Sequence, residues 1–168
     1  MKNLILLFAA LLTLSYAKAQ DIDTAPKKLE LSPHHVGLHI GAVTGSGFSY
    51  RYWPAKLGFQ ITGIPIINTD YRFTSLGVSA LYLLKDNRKV DLFAYLGNHA
   101  VFTATKIFSN DSTIYNKFFF DNLGIGLGVK TTIWEVINLN FQVGYGFYNV
   151  GEYTSTNFTG EFGVYYQL

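Results

Sequence analysis

The chain has 168 residues, of which 17% are aromatic and only 14% are charged, and it contains no cysteine. The absence of cysteine excludes disulfides, thiolate metal sites and a lipidated cysteine. Lys2 and Lys18 account for the net charge of +2, and the other residues carry 11 basic and 11 acidic side chains, with no basic stripe that points to nucleic acid. Because a water-exposed surface normally carries more charge, something other than water is expected to cover much of this one.

The first 19 residues have the pattern of a secretory signal peptide. Lys2 precedes an apolar run from Leu4 to Ala17, and the run ends in the small-x-small pattern Ala17-Lys18-Ala19. The run is shorter than the ~20 residues that a membrane-spanning helix needs. We predict a signal-peptide helix that is cleaved after Ala19, a flexible periplasmic leader over residues 20–35 and one folded domain over residues 36–168.

From residue 36 onward, apolar and polar residues alternate with the period of two that predicts β-strands. The fifth segment is ambiguous because Phe93 and Tyr95 lie on the face opposite Leu92 and Leu96; we expect the face of Leu92 to point outward. The alternation predicts an even number of strands, about eight. In chain order, their apolar faces begin at Val36, Phe48, Leu57, Leu76, Val90, Leu123, Leu139 and Phe158.

Seven connections separate these segments. With the N-terminus in the periplasm, the second, fourth and sixth connections are periplasmic turns and the others face outward. The longest connection then lies on the outer side, as is typical of bacterial barrels. The predicted connections are Thr44 to Gly47, Pro54 to Lys56, Ile67 to Tyr71, Lys85 to Lys89, Lys106 to Asn116, Thr131 to Val136 and Gly151 to Ser155.

The polar face of the segments favours a membrane barrel over a soluble one. A soluble carrier barrel points its apolar face inward around a ligand and its polar face into water. In the three segments with the clearest alternation, the polar face is mostly Gly, Asn, Gln, Thr and Tyr, which suits the narrow interior of an eight-stranded barrel. Aromatic residues near the segment ends are then expected to form two interfacial girdles. These are Tyr52, Trp53, Trp134 and Tyr166 on one rim, and Phe73, Phe102, Phe147 and Phe158 on the other.

The last segment carries the most specific resemblance. Residues 162–168, Phe-Gly-Val-Tyr-Tyr-Gln-Leu, alternate and end on an apolar position. With this ending and the segment pattern of residues 36–168, the chain resembles the small eight-stranded outer-membrane β-barrel proteins, the OmpA-like and OmpX-like class of the porin superfamily. The usual final residue of that class is phenylalanine, where this chain has Leu168.

The resemblance implies an all-β fold: a closed, up-and-down, antiparallel transmembrane barrel in the outer membrane of a Gram-negative bacterium. Its partners would be outer-membrane lipid and the barrel-assembly machinery. The machinery would recognise the apolar positions of the last segment, Phe162, Val164, Tyr166 and Leu168.

Several polar side chains fall on the predicted inward faces, and buried charges need partners. Asp91 begins the fifth segment and Lys130 ends the sixth, so we expect them to face each other near the inner rim. The other inward polar residues are expected to form a network of His39, Arg51, Gln60, Gln142 and Glu161.

The sequence predicts architecture more firmly than function. We expect a structural, adhesive or surface-interaction role, with outer loops available to a surface partner and no catalytic, cofactor or metal site. A wide pore is not expected, because it would need around 16 strands and this chain has room for about eight. Two alternatives remain open: an exported, soluble, lipocalin-like carrier, and an acyl hydrolase or transferase acting on lipid. In the enzyme, His99 would be the base, with Ser109, Asp111 and Ser112 nearby in the sequence.

Overall fold

The computed structural model describes residues 32–87, 90–109, 112–151 and 153–168. The predicted signal peptide, its cleavage site and most of the leader lie outside these ranges. Within them the chain forms eight β-strands, and no helix there is long and apolar enough to cross a membrane. The strands are β1 (His34–Ile40), β2 (Gly47–Tyr52), β3 (Leu57–Ile67), β4 (Tyr71–Lys85), β5 (Val90–Ser109), β6 (Ser112–Ile133), β7 (Ile137–Tyr148) and β8 (Ser155–Gln167).

Every strand pairs antiparallel with the next one along the chain, and β8 pairs with β1 to close a barrel. The closing ladder runs from His35 opposite Gln167 to Ile40 opposite Phe162. Within the closed part of the sheet each strand has a neighbour on both sides, so its backbone donors and acceptors pair with neighbouring strands. The predicted closed, up-and-down barrel is confirmed, with β1 beginning at His34.

The side chains of the barrel wall alternate between a polar interior and an apolar exterior. On β7, Val143 is 57% exposed on the outer surface, whereas its neighbour Gln142 is 1% exposed inside the barrel. On β5, Phe93 and Tyr95 are buried inside, whereas Leu92 and Leu96 are exposed outside. The prediction for this ambiguous strand is therefore confirmed.

The connection between β5 and β6 differs from the prediction. Residues 106–109 and 112–116 are paired strand and not loop, since Lys106 lies opposite Tyr115 and the ladder ends with Ser109 opposite Ser112. The polar residues of this segment indicated a loop, but polarity predicts exposure to water and does not prevent strand pairing. The pairing of β7 with β6 ends at Leu123 opposite Phe147, and β5 and β6 continue beyond that point as a long hairpin.

Candidate functional site

The interior of the barrel is filled by side chains, and glycines on β6 and β7 make room for them. A Cβ added at Gly128 would overlap the ring of Phe93, and one added at Gly124 would overlap Val43. At Gly144 it would lie 2.6 Å from the Tyr95 hydroxyl oxygen. Such close packing is expected in an eight-stranded barrel, whose interior is just wide enough for side chains.

An ion pair and an aromatic cluster occupy the end of the barrel at which β1 begins and β8 ends. Asp91 lies opposite Lys130 on the adjacent strand, and the Lys130 Nζ is 2.7 Å from the Asp91 carboxylate. The same ammonium lies 5.3 Å from the centre of the Trp53 ring, and Trp53 packs edge-on against Phe93 with the ring centres 5.2 Å apart. This end of the interior is therefore closed by paired charges and aromatic rings.

Two of the predicted girdle residues are placed wrongly by the sequence pattern. Trp53 is only 9% exposed, because the chain turns after β2 and directs its ring into the interior over Gly58. Phe73 is partly buried on the same strand face as Ser75, which is the interior face of β4. The other predicted girdle residues are all exposed: Tyr52, Phe102, Trp134, Phe147, Phe158 and Tyr166.

Arg51 is the largest buried polar side chain and is 1% exposed. Its Nη2 donates to the Gln60 side-chain oxygen at 2.6 Å, and its guanidinium carbon lies 4.2 Å from the centre of the Tyr165 ring. With the amide of Asn140 oriented so that its oxygen faces Arg51, that oxygen accepts from Nη2 at 2.6 Å and from Gln142 at 2.8 Å. Amide oxygens and an aromatic face thus solvate this cation, and within the described residues no carboxylate forms an ion pair with it.

A chain of hydrogen bonds connects the surroundings of Arg51 to the half of the interior that is nearer the β5–β6 hairpin. Gln60 donates to the Thr62 hydroxyl at 3.0 Å, and the Ser49 hydroxyl lies 2.8 Å from that of Thr62 and 3.1 Å from that of Tyr165. The Tyr165 hydroxyl in turn lies 3.2 Å from Nδ1 of His39. The structure therefore brings together the predicted network residues, with Asn140 and Tyr165 as members that the sequence pattern did not single out.

The connection between β1 and β2, residues 41–46, folds into the barrel and forms a plug. Val43 and Thr44 have no exposed surface. The Glu161 carboxylate accepts hydrogen bonds from the Val43 backbone N–H at 2.9 Å and from the Thr44 hydroxyl. Because that hydroxyl donates to Glu161, its oxygen accepts from Nε2 of His39 at 2.7 Å. The short outer loop predicted at Thr44 to Gly47 is thus part of a segment that turns inward. Its inward course depends on contacts with β8, which a local sequence pattern does not contain.

His99 also holds the plug. Its Nδ1 donates to the backbone oxygen of Ala42 at 2.9 Å, and Asn122 donates to the same oxygen at 3.1 Å. Nε2 of His99 is then the acceptor for the Ser75 hydroxyl at 2.8 Å, and that hydroxyl accepts from the Ser46 N–H at 3.1 Å. Each polar side-chain atom of His99 and Ser75 therefore contacts either the plug or the other residue of the pair.

The serine–histidine distance resembles that of a nucleophile and its base, but the surroundings differ from those of a catalytic site. Ser75 is 1% exposed beneath the plug, and the group that orients His99 is a backbone carbonyl of the plug itself. His99 therefore lies in the interior, and the hydroxyl that contacts it is that of Ser75, which the sequence pattern did not single out. Asp111 and the side chains of Ser109 and Ser112 lie outside the described part of the structure.

The adjacent histidines at the start of β1 point in different directions. The ring of His34 lies against Tyr50 and Tyr52 on the outer surface, whereas His35 is buried, with Nδ1 3.4 Å from the side-chain nitrogen of Asn138. Among the described residues, no group of three or more acidic, histidine or cysteine side chains is arranged to hold a metal ion.

No protein-family description and no curated protein matches the chain. Among solved structures, the N-terminal β-barrel domain of OprF from Pseudomonas aeruginosa is similar, with 13% identity, coverage of 83% of this chain and 100% of that one, and a TM-score of 0.49. Neisserial surface protein A has 18% identity, coverage of 82% and 97%, and a TM-score of 0.44. Ail, the attachment invasion locus protein of Yersinia pestis, has 14% identity, coverage of 80% and 93%, and a TM-score of 0.38. The strand pairing of the chain itself establishes its architecture: a closed, antiparallel, up-and-down β-barrel of eight strands.

Proposed function

We propose that the chain is an integral protein of the bacterial outer membrane, where its closed barrel anchors a β-hairpin at the cell surface. The observation that carries the proposal is the continuous apolar belt on the outside of the barrel. All eight strands contribute large apolar side chains to it that no other part of the described chain covers. One exposed residue from each strand, in chain order, is Leu38, Tyr50, Ile61, Val78, Leu96, Ile125, Val143 and Val164.

The apolar belt is suited to contact with lipid. A soluble protein rarely exposes a contiguous apolar surface of more than a few hundred Å². In lipid the same surface is favourable, and a closed barrel is the strand-based structure that leaves no backbone group unpaired there. A soluble carrier would need the opposite arrangement, with apolar residues around an inner cavity. This interior instead holds buried polar side chains such as Arg51, Gln60 and Glu161.

The hairpin of β5 and β6 supports a role at the surface. β1 begins and β8 ends at the same end of the barrel, together with the short connections at residues 53–56 and 134–136. With the N-terminus in the periplasm, the long hairpin projects on the opposite, extracellular side. Tyr115, Phe118 and Phe120 are exposed on it, so it offers aromatic contacts to a surface partner.

We do not propose that solutes pass through the barrel. The plug occupies the outer half of the interior, and the Asp91–Lys130 pair with its aromatic neighbours occupies the inner end. The role that fits is structural or adhesive. Recognition of the chain by the barrel-assembly machinery is proposed through Phe162, Val164, Tyr166 and Leu168, whose side chains are all exposed at the end of the chain.

Catalysis remains a second candidate only because of the distance of 2.8 Å between Ser75 and His99. An enzyme acting on lipid would lose its turnover in the His99→Ala variant. Turnover that is absent from the unaltered protein, or unchanged in the variant, would leave the pair with the plug-holding role described above.

Cysteine labelling tests the proposed orientation, because the chain has no cysteine of its own. Asn116→Cys places a thiol on the exposed hairpin, and Ala55→Cys places a matched thiol in the exposed connection between β2 and β3. A maleimide on a polymer too large to cross the outer membrane should label Asn116→Cys on intact cells. It should label Ala55→Cys only after that membrane is permeabilised. Equal labelling of both variants on intact cells, or the reverse order, would overturn the proposal.

A further inference from the structure

A shallow groove of about 320 Å³ lies on the outer surface of β4, β5 and β6 near their extracellular ends. Strand register places Arg72 opposite Ala104, and Ala104 opposite Lys117, in one row across the three strands. In the row below, Phe102 lies opposite Phe119, with ring centres 4.8 Å apart. The small side chain of Ala104 leaves a space that is flanked by two cations and has an aromatic floor.

The two cations are available to a ligand. Arg72 and Lys117 are exposed, and within the described part of the chain neither forms an ion pair with a carboxylate. Lys106, the next basic residue on the same outer surface, is engaged differently, since its ammonium lies 3.7 Å from the Asp70 carboxylate. The groove therefore has a local positive charge.

The height of the groove matches the headgroup region of a membrane. Leu76, on the same strand face as Arg72, belongs to the exposed apolar belt. Arg72 lies four residues further toward the extracellular end, which is roughly 13 Å along an extended strand. Cations at this height face the headgroups of the outer leaflet, and the rings of Phe102 and Phe119 lie at the border of the hydrocarbon.

We infer that this groove binds a phosphorylated lipid of the outer leaflet, with the phosphate between Arg72 and Lys117 and an acyl chain along Phe102 and Phe119. The guanidinium fork of arginine matches the geometry of phosphate oxygens, and lysine adds a second charge. The aromatic floor favours an amphipathic ligand over free phosphate, which has no apolar part to place there. The inference rests on the proposed membrane location.

The test uses the full-length chain with its signal peptide processed, folded in detergent, and measures lipid retention by native mass spectrometry. The probes are a diphosphorylated, acylated glucosamine disaccharide and the same glycolipid without its phosphates. The test variant is the double substitution Arg72→Gln and Lys117→Gln. The control is Lys56→Gln with Lys85→Gln, which removes the same charge from exposed positions at the other end of the barrel.

We expect the test variant to bind the phosphorylated glycolipid about tenfold more weakly than the unaltered protein and the control. The glycolipid without phosphates should bind the unaltered protein about as weakly as the phosphorylated glycolipid binds the test variant. Equal retention by the test variant and the control would overturn the inference. So would displacement of the lipid by inorganic phosphate at the same concentration, because the groove would then be a site for free phosphate.

The experiments distinguish an error in the proposed membrane location from an error in the proposed lipid site. A chain that is not in the outer membrane would be recovered in a soluble fraction of the cell. A chain that lacks the site would be recovered in the outer membrane, with lipid retention that does not depend on Arg72 and Lys117.

Discussion

The Lys130 ammonium lies 2.7 Å from the Asp91 carboxylate across the β5–β6 pair, and the two side chains are only 15% and 12% exposed. Removing one partner leaves the other charge without compensation in a poorly solvated interior. We expect Asp91→Asn to lower the free energy of unfolding by roughly 1–3 kcal/mol. The measurement is urea unfolding of the detergent-folded protein.

The matched control for this prediction is a double-mutant cycle with Lys130→Gln. Because the double variant contains no unpaired charge, its loss of stability should be smaller than the sum of the two single losses. Additive losses would show that the two side chains do not interact.

Glycines in the barrel differ in what surrounds them, which gives a test of the interior packing. A Cβ at Gly128 would overlap the Phe93 ring, whereas one at Gly160 has no heavy atom within 4 Å. We expect Gly128→Ala to destabilise the barrel by about 1–3 kcal/mol, since overpacking forces neighbouring groups to move. Gly160→Ala should leave stability nearly unchanged. Thermal or urea unfolding of the two variants measures the difference, and equal effects would contradict the packing described for the interior.

The plug depends on Glu161, so its substitution should release residues 41–46. In Val43→Cys, the buried thiol reports whether a small water-soluble reagent reaches the interior. Adding Glu161→Gln weakens the charge-assisted hydrogen bonds to the plug, and we expect thiol labelling to become about tenfold faster. The control adds Glu135→Gln, which neutralises an exposed carboxylate at the opposite end of the barrel and should leave the labelling rate unchanged. Equal acceleration in both variants would show that Glu161 has no specific hold on the plug.

The outward direction of the apolar belt predicts where a charge is tolerated. Val143 is 57% exposed within the belt, and Thr156 is exposed near the extracellular end of the neighbouring strand. In a bilayer we expect Val143→Arg to cost roughly 2–4 kcal/mol and Thr156→Arg about 1 kcal/mol or less. Folding equilibria in lipid vesicles measure both values. Similar costs at the two positions would mean that the belt does not lie in lipid.

Period-two alternation and strand order were sufficient to predict the closed barrel and the facing of Asp91 and Lys130. In an antiparallel hairpin, the start of one strand meets the end of the next, so residues at those positions become neighbours without further information. The same reasoning assigned Phe93 and Tyr95 to the interior once the opposite face was interpreted as the outer one.

Features that depend on distant contacts were not predictable in this way. The inward course of residues 41–46 is set by Glu161, which lies 118 residues beyond Val43 in the chain. Trp53 follows a strand end like a girdle residue, but its position is decided by Phe93 on another strand. The paired extension of β5 and β6 was missed because its polar composition resembles that of a loop.

The most direct test of a membrane-embedded barrel is the electrophoretic mobility of this chain in purified outer membranes, compared with and without boiling. We predict recovery in that fraction and a shift in mobility on boiling, because the closed sheet resists detergent until it is heated. Recovery of a folded protein in the soluble periplasmic fraction, without detergent, would contradict it.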